Sequence, residues 1–398
     1  MFAIELPNRP KLERYENLAR TLREGGAAPP AMVPMWQEFG NRRKAQLFVA
    51  RVHAFASWAK FARHVEGLGQ AASAVSQFEA AVDAIVTGNT INLKRLVKAN
   101  PKLVRARSLR EHRSTLLHYV SANGVEDYRQ KTPKNIVELA KVLLDAGADV
   151  NAESDVYGGG STALGLTATS YHPDAAGVQL ALMELLLARG GQIDGPDSGS
   201  GVVGCLQNGR KRAAVFLAEH GARLTLHGAA GVGRLDVLAG FFRRDGGLKR
   251  GTTKRELPDA FGAACQFGRT DAVEFLLRQG VKIDTKLRYA SETGLHWAAF
   301  GGDAEMTQFL IRQGAPLEVK DQRHQGTPLE WALYGWGTAA PNKRKKREPY
   351  YEVVARLKQA GARLDFSWFV EARSPLRKKI ERDPRMLAAL RGEFAGQK

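Results

Sequence analysis

The stretch TGLHWAAFGGDAEMTQFLIRQGAPLEVKD, residues 293–321, decides how the chain is read. It reads as a short helix ending at a glycine pair, a second helix with paired apolar residues, a further glycine, and an alternating apolar segment. The second half of this pattern returns in VELAKVLLDAGADVNAE (137–153), LMELLLARGGQIDG (182–195), RAAVFLAEHGARLTL (212–226), DAVEFLLRQGVKIDT (271–285) and YEVVARLKQAGARLDF (351–366). The glycines after the second helix are Gly147, Gly190, Gly221, Gly246, Gly280, Gly314 and Gly361. The steps from Gly246 to Gly280 and from Gly280 to Gly314 set a period of 34. Each is expected to take the left-handed conformation past a helix end, where a side chain is penalised. One such unit cannot bury its apolar face alone, so units must stack into a solenoid.

Working outward, the 398 residues include 59 Lys plus Arg against 41 Asp plus Glu, a net charge of +18, and 44% of them are hydrophobic. That is the composition of a folded, strongly basic chain. The sequence contains no apolar run long enough to span a membrane, and the charged opening MFAIELPNRPKLERYENLAR is unlike a signal peptide, so neither secretion nor a membrane partner is expected. Two cysteines, Cys205 and Cys265, are too few for a disulfide framework and suit a reducing cytoplasm, where they are expected to be buried and inert. His112/His118 and His220/His227 lack metal-ligand spacing, no G-x-S-x-G elbow occurs, and YGGGST (157–162) and GAAGVGRLD (228–236) fail as phosphate loops. No catalytic residue, metal or cofactor is therefore assigned, and the chain is not expected to be an enzyme.

The repeated unit resembles the ankyrin repeat family, through TGLHWAA (293–299), TPLEWA (327–332), TLLH (115–118) and LLDAGADVN (143–151). The resemblance covers about Phe78 to Phe366 and implies an all-α solenoid of stacked helix-turn-helix units, about eight of them. The unit near 222–247 is degenerate, because the 25-residue step from Gly221 to Gly246 leaves no room for a full finger. Insertions at 126–135 and 338–349 are expected to loop outward. Residues 367–398 are expected to form a helical cap and residues 1–70 a helical N-terminal extension. The latter resembles the helical region ahead of ankyrin repeats in some bacterial proteins, where a GFxSW turn matches Ala54 to Trp58.

The resemblance further implies that His118 and His296 hold their turns, and that residues closing the first helices face a concave groove where partners lie. Those positions hold Phe267, Phe300 and Tyr334, with Trp336 a fourth aromatic; Trp297 and Trp331 are expected to pack between repeats. Finger tips of the same units carry Lys286, Arg288, Tyr289, Lys320, Arg323 and His324. A basic, aromatic groove suits another protein of acidic character. As an alternative, the run Lys343, Arg344, Lys345, Lys346 and Arg347, together with LKRGTTKR (248–255), would bind nucleic acid or another anionic polymer.

Overall fold

The computed structural model describes residues 3–7, 10–195, 200–287, 290–339, 347–369 and 374–394. Among them the chain is all-α. Only two isolated antiparallel bridges, Ser154 with Ser161 and Phe242 with Leu248, interrupt helices, turns and loops. The chain divides into two compact units, Met1–Ala222 and Arg223–Lys398.

In the first unit, α1 (Leu12–Arg23), α2 (Val33–Phe39), α3 (Ala45–Val52) and α4 (Trp58–Leu68) enclose a small core of Tyr15, Leu22, Val49, Phe55, Phe61 and Val65. The turn into α4 places Ala54 at φ 67°, the left-handed region that favours glycine. Helix pairs follow: α5 (Ala74–Thr87) with α6 (Thr90–Ala99), then α7 (Leu116–Tyr119) with α8 (Ile136–Asp145). Next come α9 (Ala163–Thr169), the short α10 (Tyr171–Ala175) and α11 (Gln179–Ala188), and finally α12 (Ser200–Gln207) with α13 (Lys211–Glu219). First helices pack on first helices, α5 on α7 on α9 on α12, and second helices on second helices, α6 on α8 on α11 on α13. This is the two-row stack that the repeat period requires.

The second unit opens with α14 (Leu226–Val232) and α15 (Leu235–Ala239). It continues through the pairs α16 (Leu257–Gln266) with α17 (Thr270–Arg278), α18 (Gly294–Gly301) with α19 (Ala304–Arg312), and α20 (Pro328–Thr338) with α21 (Glu348–Gln359). The last pair is α22 (Ser374–Glu381) with α23 (Pro384–Leu390). Here α14, α16, α18 and α20 form the row of first helices. The row is tight where glycine allows it: a Cβ added at Gly335 would meet the Phe300 carbonyl oxygen at 2.6 Å.

The signature histidines join neighbouring repeats. Nδ1 of His296 accepts the Thr293 N–H at 3.0 Å, so the ring proton sits on Nε2, which donates to the Gly326 carbonyl at 3.1 Å. His118 does the same between Thr115 and Ser161. In TPLEWA the histidine position is Glu330, whose Oε2 accepts the Thr327 N–H at 2.6 Å and closes a capping box.

Two expectations need correcting. Gly246 is left-handed, φ 80°, but it does not end a helix: α15 stops at Ala239, and Gly246 turns the hairpin whose arms pair at Phe242 and Leu248. The insertion at 126–135 does not simply loop outward either. Its Glu126 and Arg129 are buried against α5, where they join Glu79 and Arg110. Arg110 reaches Glu79 at 2.8 Å and Glu126 at 2.6 Å, while Arg129 reaches Glu79 and, at 3.0 Å, Asp83. Burial raises the Glu79 carboxyl, but the two guanidinium groups outweigh it and hold the group at about 2. A charge placed there without its partners would be too costly to bury, so the insertion is drawn in by the ions it neutralises.

Candidate interaction surface

Helices α18 and α20 begin at equivalent threonine caps, Thr293 and Thr327, and carry aromatic residues at equivalent positions three apart, Trp297 with Phe300 and Trp331 with Tyr334. Residues three apart share one helical face, and a separation of 34 puts each ring beside its counterpart in the next repeat. The rings of Trp297 and Trp331 are 5.4 Å apart, Phe300 and Trp331 5.8 Å, and Phe300 and Tyr334 6.4 Å and nearly parallel. These are distances of edge-on and stacked contact, so the four rings support one another. Tyr334 is 48% exposed, and Trp297, Phe300 and Trp331 are half-buried.

The patch is held from beneath. The Tyr350 hydroxyl of α21 donates to the Phe300 carbonyl at 2.9 Å. The Trp331 indole N–H donates to Asp321 at 3.0 Å, and the same buried carboxylate accepts the backbone N–H groups of Arg323, His324 and Gly326 at 2.7 to 2.9 Å. One side chain therefore fixes both the finger tip and a ring of the patch. Burial raises the Asp321 carboxyl, yet the Trp331 and backbone donors together hold it below the usual carboxylate range. The Trp368 indole N–H donates to the His324 carbonyl at 3.1 Å, which secures the tip from the other side.

Of the finger-tip residues, Lys286, Arg323 and His324 are exposed, and the His324 ring lies 6.3 Å from that of Trp331. Lys320 is exposed too, but it is paired with Asp365 at 2.8 Å. Arg288 and Tyr289 lie outside the described residues, as do Lys343, Arg344, Lys345 and Lys346. Three nominated residues sit differently from expectation. Trp336 is 1% exposed, because it is covered by Tyr351 of α21 and by Arg347 just ahead of that helix, whose guanidinium lies 4.9 Å from its ring centre. Arg347 is accordingly spent on that ring and on the Ala339 carbonyl, and is not a loose loop cation. Phe267 is 9% exposed at the end of α16, so its ring serves packing more than surface. Trp297 and Trp331 do pack on each other between neighbouring repeats, as expected, and in doing so also join the half-open ring cluster. The signal for them was present, since Trp297/Trp331 and Phe300/Tyr334 both repeat at the period of 34. Asp321 carried no comparable signal.

Cys205 and Cys265 are free and buried, and burial pushes both thiols up, Cys205 to about 12. Among the described residues no group of three or more His, Cys, Asp or Glu could hold a metal ion, and no helix is long and apolar enough to cross a membrane.

Comparison with known proteins bears on the same helices. The family description "Ankyrin repeats (3 copies)" matches residues 261–364, which contain the whole ring cluster. No curated protein matches the chain. Among solved structures, the crystal structure of the human ASB11 ankyrin repeat domain is similar at 19% identity and a TM-score of 0.36, with 72% of this chain and 99% of that chain covered.

Proposed function

We propose, on the premise that this is an ankyrin-repeat protein whose matched repeats span residues 261–364, that it is a non-catalytic module gripping a partner protein of acidic character through the rings of α18 and α20. Ankyrin repeats are in general protein–protein interaction modules. The observation that carries the more specific reading is the set of four half-open rings packed on one another, together with the exposed finger-tip cations Lys286 and Arg323, which have no ion-pair partner among the described residues. Aromatic anchors on a preorganised surface are the residues expected to dominate association energy, because they lose little freedom on docking. The cations would favour an acidic partner and speed its encounter. A cytoplasmic site of action fits the two buried free thiols.

The test is the double variant Phe300→Ala, Tyr334→Ala. Truncating such anchors should weaken partner association by on the order of 2 kcal/mol each, roughly thirtyfold, while far-UV circular dichroism stays the same. Proteins recovered by wild type but not by the variant, from the native host at two salt concentrations, would identify the partner. Identical recovery by both would discard this face.

A further inference from the structure

Most of the chain's net charge of +18 falls in residues 223–398, and six of that unit's cations stand between Arg243 and Arg255, where the degenerate repeat lost its finger. In its place stands a hairpin. The Arg243 N–H bonds to the Gly247 carbonyl at 2.7 Å, the Lys249 N–H bonds to the Phe241 carbonyl at 2.9 Å, and a turn closes through Thr252 to Lys249 at 3.1 Å. The hairpin is rooted by Phe242, buried and 5.3 Å from Phe275 of α17. Its outward residues are Arg243, Arg244, Lys249 and Arg250, followed by Lys254 and Arg255 ahead of α16, all exposed. Arg243 pairs with Asp245 at 3.2 Å; the other five have no ion-pair partner among the described residues. Glu256, the nearest following acid, is occupied in the capping box with Thr253.

Five like charges brought together on a rooted hairpin repel one another in the free protein, and an anion bound there relieves that repulsion. The chemistry of the surface narrows the anion. A protein partner needs an apolar anchor, and here Phe242 is buried and the half-buried Phe241 and Leu248 are packed against the core, unlike the rings of α18 and α20. A single strand read by its bases needs exposed rings to stack on, and the hairpin offers none. What remains is the repeating phosphate of a duplex, recognised by charge and without sequence preference.

We propose that the hairpin at residues 241–256 is a docking site for the phosphodiester backbone of double-stranded nucleic acid, separate from the ring cluster and independent of the partner bound there. The full-length chain is titrated into fluorescently labelled 20-base-pair duplexes, one DNA and one RNA, and anisotropy is followed at several salt concentrations. Five phosphate contacts give a slope of log affinity on log salt near −4.5, about a 500-fold loss between 50 and 200 mM. The variant carrying Arg244→Gln, Lys249→Gln, Arg250→Gln, Lys254→Gln and Arg255→Gln should bind at least tenfold more weakly, with most of that slope gone. The double variant Arg244→Gln, Arg250→Gln should lose about 1.8 of it, so the reading stays available if the larger variant misfolds. Neutralising five exposed cations elsewhere, Arg43, Lys44, Lys98, Lys102 and Arg105, should leave affinity within twofold. Whichever duplex binds more tightly names the source of the phosphate. Equal losses in the hairpin and control variants would overturn the proposal by showing mere net charge, as would absence of duplex binding at 50 mM salt. Tighter binding of polyglutamate than of a duplex of equal charge would also overturn it, in favour of an acidic protein.

Discussion

At the scale of single residues, Asp321 matters most to the interaction surface, although it is itself buried beneath it. Its carboxylate is the common acceptor for three backbone N–H groups of the finger tip and for the Trp331 indole. Asp321→Ala would leave those donors, several of them buried, without an acceptor, and bonds to a charged acceptor are the costly ones to lose. The change should lower stability by on the order of 3 kcal/mol, read as a shift of the urea midpoint. Trp331 should gain freedom, read as a change in tryptophan emission. Asp321→Asn keeps the shape but has one fewer strong acceptor oxygen, so it should fall between wild type and Asp321→Ala. An unchanged midpoint for Asp321→Ala would mean that water serves the tip equally well. Nothing in KDQRHQGTP distinguished this aspartate beforehand, because its four donors are brought together only when the turn closes.

At the scale of elements, the fold was legible wherever a short-range rule acted. The period of 34, the threonine caps at Thr293 and Thr327 and the left-handed glycines after second helices are local in sequence. The ring cluster was half legible: Phe300 and Tyr334 were placed correctly as a neighbouring pair, while the burial of Trp336 depends on α21 returning from beyond the insertion. The insertion at 126–135 was misjudged because its Glu126 and Arg129 look like surface charges until Glu79 and Arg110 are known to face them. That cluster makes the insertion a strut between α5 and the loop ahead of α7. Glu79→Ala would leave Arg110 and Arg129 buried around a single buried carboxylate, and removing one member of a buried ion pair costs about 3–5 kcal/mol. The variant should therefore unfold at markedly lower urea, and protease cleavage near 126–135 should rise. Equal protease resistance would show the network to be dispensable.

At the scale of the whole molecule, the buried histidines set how the chain responds to acid. Burial, as the largest influence, lowers His53, His64 and His118 to about 4, and lowers His296 as well. His64 also faces Glu79 and Glu126, which favour its charged form, and Arg110 and Arg129, which oppose it. In the unfolded chain each imidazole titrates near 6.5, so above that pH neither state takes a proton and stability is flat with respect to these groups. As pH falls from 6.5 towards 4, the unfolded state binds protons that the folded state refuses, and stability declines. At pH 5 the cost is about 2 kcal/mol for each of the three histidines held near 4. Down to pH 5 Glu79 adds little to this loss, since its carboxyl, held at about 2, gives stability that is lost as pH falls through the unfolded value near 4.5 towards 2. His118 and His296 tie the loss to the architecture, because a proton arriving on Nδ1 displaces the threonine N–H that anchors each turn. The urea midpoint of the full-length chain should therefore drop between pH 7.5 and pH 5.0, and His64→Gln should make that drop smaller by removing one of the groups responsible. A midpoint independent of pH over this range would mean that these rings admit protons while folded, and the buried, neutral assignment of the turn histidines would have to be given up.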